Sequence, residues 1–183
     1  THVHYRTAEM YDLAAMTAHV HSVGARIIWD LSHSTGALPV DLGAAKVDFA
    51  VGCTYKYLNG GPGAPGFLYV QRDLQAALQP VLSGWLGDAR PFDFLDDYMP
   101  APGIDRHRCG TPPVLAYAAL EGALDAFDGV DVDSIRRKSI ELADLFIALV
   151  EALPQASSLQ LVSPRDSARR GSHLSFAHAD AGA

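Results

Sequence analysis

Short apolar runs alternate with amphipathic stretches along the first part of the chain. From Met10 to Val23 the apolar positions Leu13, Met16, Val20 and Val23 recur at helical spacing, and Gly24 stops the helix. Arg26 to Trp29 reads as a short strand that exits at Asp30, Asp41 to Ala45 as a short helix, and Val47 to Val51 as a second buried strand. Phe67 to Val70 forms a third strand, introduced by a Gly- and Pro-rich loop that no regular element tolerates. Strands alternating with helices predict an α/β fold with a mainly parallel sheet covered by helices.

The pattern breaks between Val81 and Gly110, where Trp, Pro, Phe and Asp occur without periodicity. Irregular segments of this length are commonly functional or interfacial. Pro112-Pro113 then opens a long helix running to Phe127, with Gly129 as its stop, because proline is well accommodated in a first helical turn. A second amphipathic helix is predicted from Asp133 to Leu153, followed by strands at Leu159–Val162 and Ser172–Phe176. This layout places residues 1–130 in a large domain. Residues 131–183 supply a long helix and the first strands of an incomplete, small α+β domain. The missing initiator Met and the abrupt strand-like ends read as an internal piece of a longer protein.

Composition narrows the function. Half the residues are apolar (49%) and 19% are charged, a balance suited to a globular domain. The net charge of -7 disfavours a nucleic-acid partner, since phosphate backbones select basic surfaces. No apolar run approaches the roughly 20 residues needed to span a bilayer. Cys53 and Cys109 form no CxxC pair, and neither a signal peptide nor a membrane segment is legible, so a reduced, cytoplasmic location is expected.

The chemistry concentrates between Ile27 and Val70. Asp30 closes one apolar strand, and Lys56 follows the next in a loop of small residues, Gly52-Cys53-Thr54-Tyr55-Lys56. Pyridoxal phosphate (PLP) calls for such a pair: a lysine for its aldehyde and an acid for its pyridinium nitrogen. Each residue also has a plainer reading. Lys56 suits a surface loop, Asp30 a turn or cap, His33 a structural histidine, and Tyr55 a packed aromatic. Gly60-Gly61-Pro62-Gly63 lacks the spacing of a nucleotide-binding loop. Thr111 precedes a helix N-terminus, where a hydroxyl suits either an ordinary N-cap or an anion such as phosphate. Trp85 lies in the irregular segment, and the histidines form no metal set; His19 and His21 point apart on a helix.

The strings Trp29-Asp30-Leu31-Ser32-His33-Ser34-Thr35-Gly36-Ala37 and Tyr55-Lys56-Tyr57-Leu58-Asn59-Gly60-Gly61-Pro62-Gly63-Ala64 resemble the kynureninase family, a group of fold type I PLP enzymes related to class V aminotransferases. The likeness runs through Gly84-Trp85 and Cys109-Gly110-Thr111-Pro112-Pro113 to Pro164-Arg165-Asp166. It implies that Lys56 is the Schiff-base lysine, that Asp30 pairs with the pyridinium nitrogen, and that His33 and Tyr55 touch the cofactor. It further implies that Thr1 is a cofactor contact and that Trp85 and Thr111 reach the phosphate site of the neighbouring subunit in a homodimer. The family hydrolyses L-kynurenine to anthranilate and L-alanine in tryptophan breakdown. Lys56 would carry the α-proton, and Tyr55 would donate a proton to Cβ once the Cβ–Cγ bond breaks. The family's ring-stacking residue and carboxylate-binding arginine have no counterpart here, so this piece alone is expected to be inactive. Two other readings remain at this point. One is a cysteine desulfurase or class V aminotransferase, although those usually carry His where Tyr55 stands. The other is a truncated, inactive folding or dimerisation unit.

Overall fold

The computed structural model describes residues 1–181. Helix α1 spans Leu13–Ser22, shorter than the periodicity suggests, because the Asp12 side chain accepts from the Ala15 N–H (2.9 Å) and sets its start. Gly24 follows the helix at φ +74°, a backbone setting that glycine adopts without a Cβ penalty. Strand β1 (Ile28–Asp30) pairs in parallel with β2 (Phe49–Cys53), with Asp30 opposite Val51. Strand β3 (Gly66–Val70) runs antiparallel to β2, with Cys53 opposite Gly66. The expected parallel pairing is therefore confined to β1 and β2, and the three-stranded sheet is mixed. A glycine at 52 leaves room for the Phe67 ring of the facing strand, whose atoms would overlap any Cβ there.

The short helix expected over Asp41–Ala45 is instead a string of turns. Asp41 caps it through Ala44 N–H (2.8 Å), and Lys46 ends it at φ +55°. Four or five residues are too few to repay helix nucleation. The second strand sits two residues later than its apolar pattern suggests, leaving Val47 fully buried at its approach.

The core lies against this sheet. Trp29, Leu31, Val47 and Ala50 form one buried cluster, and Val3, Ala37 and Leu38 form a second. The Trp29 indole N–H donates to the Thr17 hydroxyl (3.0 Å), which in turn donates to the Leu13 carbonyl (2.6 Å), so α1 is tied to β1 by buried, satisfied polar groups. His2 packs edge-on against Trp29, with ring centroids 5.9 Å apart.

Burial, only partly opposed by Asp12, pushes the His2 imidazole down to about 4 from 6.5. Between those values the unfolded chain binds a proton that the folded one refuses. Stability is therefore complete above about pH 6.5 and is lost as pH falls toward 4, by an amount on the order of 3 kcal/mol. Urea titrations of wild type and His2→Phe at pH 7 and pH 5 check this: the wild-type midpoint drops and the variant's dependence is flatter.

Beyond β3 come a one-turn helix α2 (Arg72–Gln75) and the irregular segment, which holds two 3₁₀ turns, Trp85–Gly87 and Gly103–His107. Helix α3 (Val114–Leu124) follows the two prolines, and α4 (Val132–Glu151) starts at an Asp131 cap that accepts from Ser134 N–H (2.7 Å). A second, antiparallel sheet joins β4 (Leu159–Leu161) to β5 (Phe176–His178), so the predicted final strand lies C-terminal to its expected place. The stretch before β5 is anchored elsewhere. Gly171 N–H donates to the Ala8 carbonyl (2.7 Å) and Met10 N–H to the Arg169 carbonyl (2.9 Å). Arg170, fully buried, donates to the Pro164 and Arg165 carbonyls and to Asp144 of α4 (2.6 Å), while Arg136 of α4 donates to the carbonyls of Ser167, Arg170 and Gly171. These bonds bring residues 172–175 back beside the N-terminal segment.

Candidate functional site

Because β1 and β2 are parallel, the residues that follow them leave the sheet at the same edge. Open α/β sheets bind ligands outside the carboxyl ends of their strands. Asp30 ends β1, His33 lies three residues beyond, and Lys56 lies three residues beyond β2. The Lys56 ammonium meets His33 Nε2 at 3.1 Å and sits 5.2 Å from the centroid of the Tyr55 ring.

The loop that carries Lys56 is firmly held. Thr54 donates to the Pro65 carbonyl (2.6 Å), Gly60 N–H to the Thr54 carbonyl (3.0 Å), and Asn59 N–H to the Lys56 carbonyl (3.0 Å). Across from it, Gly36 at φ +85° lets the loop after β1 lie on Tyr57; a Cβ would stand 2.9 Å from the Tyr57 carbonyl. The two loops are thereby locked against each other.

Asp30 Oδ1 accepts from the Ser32 N–H (2.8 Å), so the turn-forming role open in the sequence is real and uses one carboxylate oxygen. Burial pulls the Asp30 carboxyl upward, but the Ser32 hydrogen bonds and His33 outweigh it, and the group stays below the usual carboxylate range. It is an anion throughout the neutral range. His33 is held below its ordinary value by burial first, then by Lys56 and His173, with Asp30 opposing.

The other candidates divide. Thr1 is exposed and gives its hydroxyl proton to the Val3 carbonyl (2.8 Å), while the N–H of its neighbour His2 donates to the Asp30 carbonyl (2.9 Å). Lys56 lines a cavity of about 660 Å³ with Gly36, Tyr57 and the α4 residues Leu142 and Phe146. Neither Trp85 nor Thr111 lines it. Trp85 packs edge-on against Phe92 (5.8 Å), and Thr111 borders a separate cavity of about 860 Å³ with His107, Arg108 and Tyr117. Thr111 is not the N-cap that local sequence favours: that position belongs to Pro113, without a side-chain cap bond. The loops carrying Trp85 and Thr111 are nonetheless neighbours, because Gly84 lies directly on the Cys109 main chain.

One group near Lys56 has no signal in the sequence. The His173 ring centroid lies 5.6 Å from that of His33, and its Nε2 meets the Tyr5 carbonyl at 3.1 Å. Only the folding of residues 169–171 onto the N-terminal segment places it there. Among the described residues no His, Cys, Asp and Glu group is arranged to hold a metal ion, and no helix is long and apolar enough to cross a membrane.

A fold with its polar site at the carboxyl edge of parallel strands, built on an Asp and a Lys, has counterparts among known proteins. The aminotransferase class-V family model matches residues 1–182, and the chain belongs to that family. Kynureninase from Pseudomonas fluorescens is 52% identical over 178 residues, and kynureninase from Deinococcus radiodurans is 52% identical over 179. Each alignment takes in 97% of this chain and 43% of the relative, so the chain spans less than half the length of these curated relatives. A cysteine desulfurase from Thermococcus onnurineus NA1 superposes with a TM-score of 0.79 at 20% identity, over 97% of this chain and 43% of the other. That likeness speaks for the fold alone.

Proposed function

We propose that this chain forms the lysine side of the PLP site of a kynureninase. Such an enzyme hydrolyses the Cβ–Cγ bond of L-kynurenine, 3-hydroxykynurenine or both, giving anthranilate or its 3-hydroxy form and L-alanine. One observation carries the reading: Asp30, His33 and Lys56 converge at one sheet edge in a chain half identical to kynureninases. The donor set fits PLP. A buried-edge carboxylate that stays ionised suits a ring N–H, an amine suits the aldehyde, and the Gly36 cradle keeps the two loops close.

When bound, PLP supplies an electron-withdrawing ring that stabilises negative charge on the substrate's α-carbon. The protein's own groups do the rest. Asp30, which stays ionised, would supply the negative charge that partners a protonated ring nitrogen. Lys56 Nζ would take the proton from the substrate α-carbon, and His33 Nε2, 3.1 Å away, would hold that amine while it is free of the aldehyde. Tyr55, beside Lys56, delivers a proton to Cβ. Thr1 borders the same edge through the His2–Asp30 bond.

Trp85 and Thr111 do not line the Lys56 cavity, and their loops meet at Gly84 and Cys109, which supports a homodimer in which they serve the neighbouring subunit's phosphate site. On this reading residues 1–130 belong to the cofactor-binding domain and the remainder begins the small domain. The protein acts in the cytoplasm, in tryptophan catabolism and the supply of NAD precursors. A cysteine-processing reading has less support, since the half-buried Cys53 thiol points at the Ser32 carbonyl (3.7 Å) and the exposed Cys109, facing the Leu82 and His107 carbonyls, does not line the Lys56 cavity.

Product analysis separates these readings. The chain, joined to the segments of a kynureninase that it lacks and supplied with PLP, is incubated separately with kynurenine, 3-hydroxykynurenine and cysteine. The expected result is an anthranilate and alanine in equal amounts from at least one kynurenine, and no sulfur release from cysteine. Sulfur release, or an oxo acid in place of alanine, would overturn the assignment.

A further inference from the structure

His173 has a geometry that the turnover described above does not use. The Tyr5 carbonyl can only accept, so the His173 nitrogen facing it, Nε2, carries the hydrogen. That leaves Nδ1 as the bare nitrogen, and it is buried with no partner. A second proton on Nδ1 would be a buried donor without an acceptor, a costly arrangement. His173 is thus built to remain neutral, and burial together with nearby Lys56 favours the same state against the pull of the Tyr5 bond.

The same reasoning applies one step inward. Lys56 has only hydrogens to offer, so His33 Nε2 accepts and His33 carries its hydrogen on Nδ1. Protonating His33 would abolish that acceptor and set two cations 3.1 Å apart. The charged or titratable groups facing His33 are Lys56, His173 and Asp30, from the loop after β2, the approach to β5 and the end of β1. Of these, only Asp30 favours a charged imidazole. A neutral ring packed on His33 keeps water from that side and opposes it.

We propose that His173 is a positioning residue: clamped by the Tyr5 carbonyl, it shields His33 so that His33 stays the neutral acceptor on which the Lys56 amine rests. Its relevance to turnover rests on the reading of Lys56 as the cofactor lysine. Its effect on His33 does not.

Two variants test it. His173→Gln keeps an N–H for the Tyr5 carbonyl and a polar group of similar bulk; His173→Ala removes both. The imidazole of His33 is followed by NMR across pH 4 to 8 in wild type and in each variant without cofactor, its signal assigned by loss in His33→Gln. In His173→Ala the His33 titration is expected to move upward, toward that of an exposed imidazole, while His173→Gln stays with wild type. An unmoved titration in His173→Ala, or an equal shift in both variants, would overturn the proposal.

A parallel measurement adds PLP, reduces with borohydride, and quantifies pyridoxylated Lys56 by mass spectrometry over the same range. The acid limb of labelling is expected to shift in His173→Ala, following its His33 titration, and to stay with wild type in His173→Gln. Labelling that falls at the same pH in all three proteins would count against the proposal. Absence of labelling in all three at every pH would refute the cofactor role of Lys56, while the NMR comparison would still decide the role of His173.

Discussion

In a kynureninase completed around this chain, on the proposed reading, Asp30→Asn is expected to lower kynurenine turnover on the order of a hundredfold or more while leaving the fold intact. The substitution keeps the shape of the side chain and an oxygen for the Ser32 N–H, so the turn after β1 survives. What disappears is the charge. Burial opposes the charge, but the Ser32 hydrogen bonds and His33 hold the carboxylate ionised. A neutral amide in its place offers no compensation for a positive ring nitrogen. Removing one preorganised electrostatic partner from an active site typically costs about a hundred- to a thousandfold in rate. The pH dependence has a definite sign: the contribution of Asp30 is complete above its depressed titration and is lost as pH falls through it. Equal urea midpoints with a collapsed rate would match this account. A variant with wild-type turnover would remove Asp30 from the site.

Gly84→Ala is expected to be the most damaging single methyl in the irregular segment. A Cβ at position 84 would overlap the carbonyl of Cys109 and stand 2.7 Å from its Cα. The obstacle is main chain, so no side-chain rotation relieves it. Gly87, in the 3₁₀ turn that Gly84 precedes, is similarly confined: a Cβ there would stand 2.7 Å from the Arg106 carbonyl. The Trp85 and Thr111 loops must separate, at a cost near or above the ~3 kcal/mol upper end usual for overpacking. A lower urea midpoint and altered Trp85 fluorescence are the measurements. If Trp85 and Thr111 serve a neighbouring subunit, weaker PLP binding accompanies the change although Lys56 is untouched. Unchanged stability would contradict the close approach.

Much of this was legible in the sequence because its signals are local. The α/β class, the order of strands and helices, and the pair Asp30 and Lys56 follow from apolar runs and their exits. The periodicity of α4 and the proline start of α3 were equally plain. Elsewhere short-range pattern competed with tertiary pairing. The antiparallel course of β3 depends on Cys53 meeting Gly66 across a Gly- and Pro-rich loop, which no periodicity reports. The turns at Asp41–Lys46 contain helix-forming residues but too few of them. His173 joins the site only because Arg136 and Arg170 fasten distant segments together through carbonyl bonds. Such contacts leave no trace in the spacing of residues.

The most direct test of the central claim is to map where PLP attaches. The protein is incubated with PLP, scanned for a visible absorbance band, reduced with borohydride and digested for mass spectrometry, with Lys56→Ala run alongside. The account predicts a band that reduction removes, a pyridoxyl group on Lys56, and neither in the variant. Labelling spread over Lys46 and Lys138 with Lys56 spared, or a band that persists in Lys56→Ala, would contradict it.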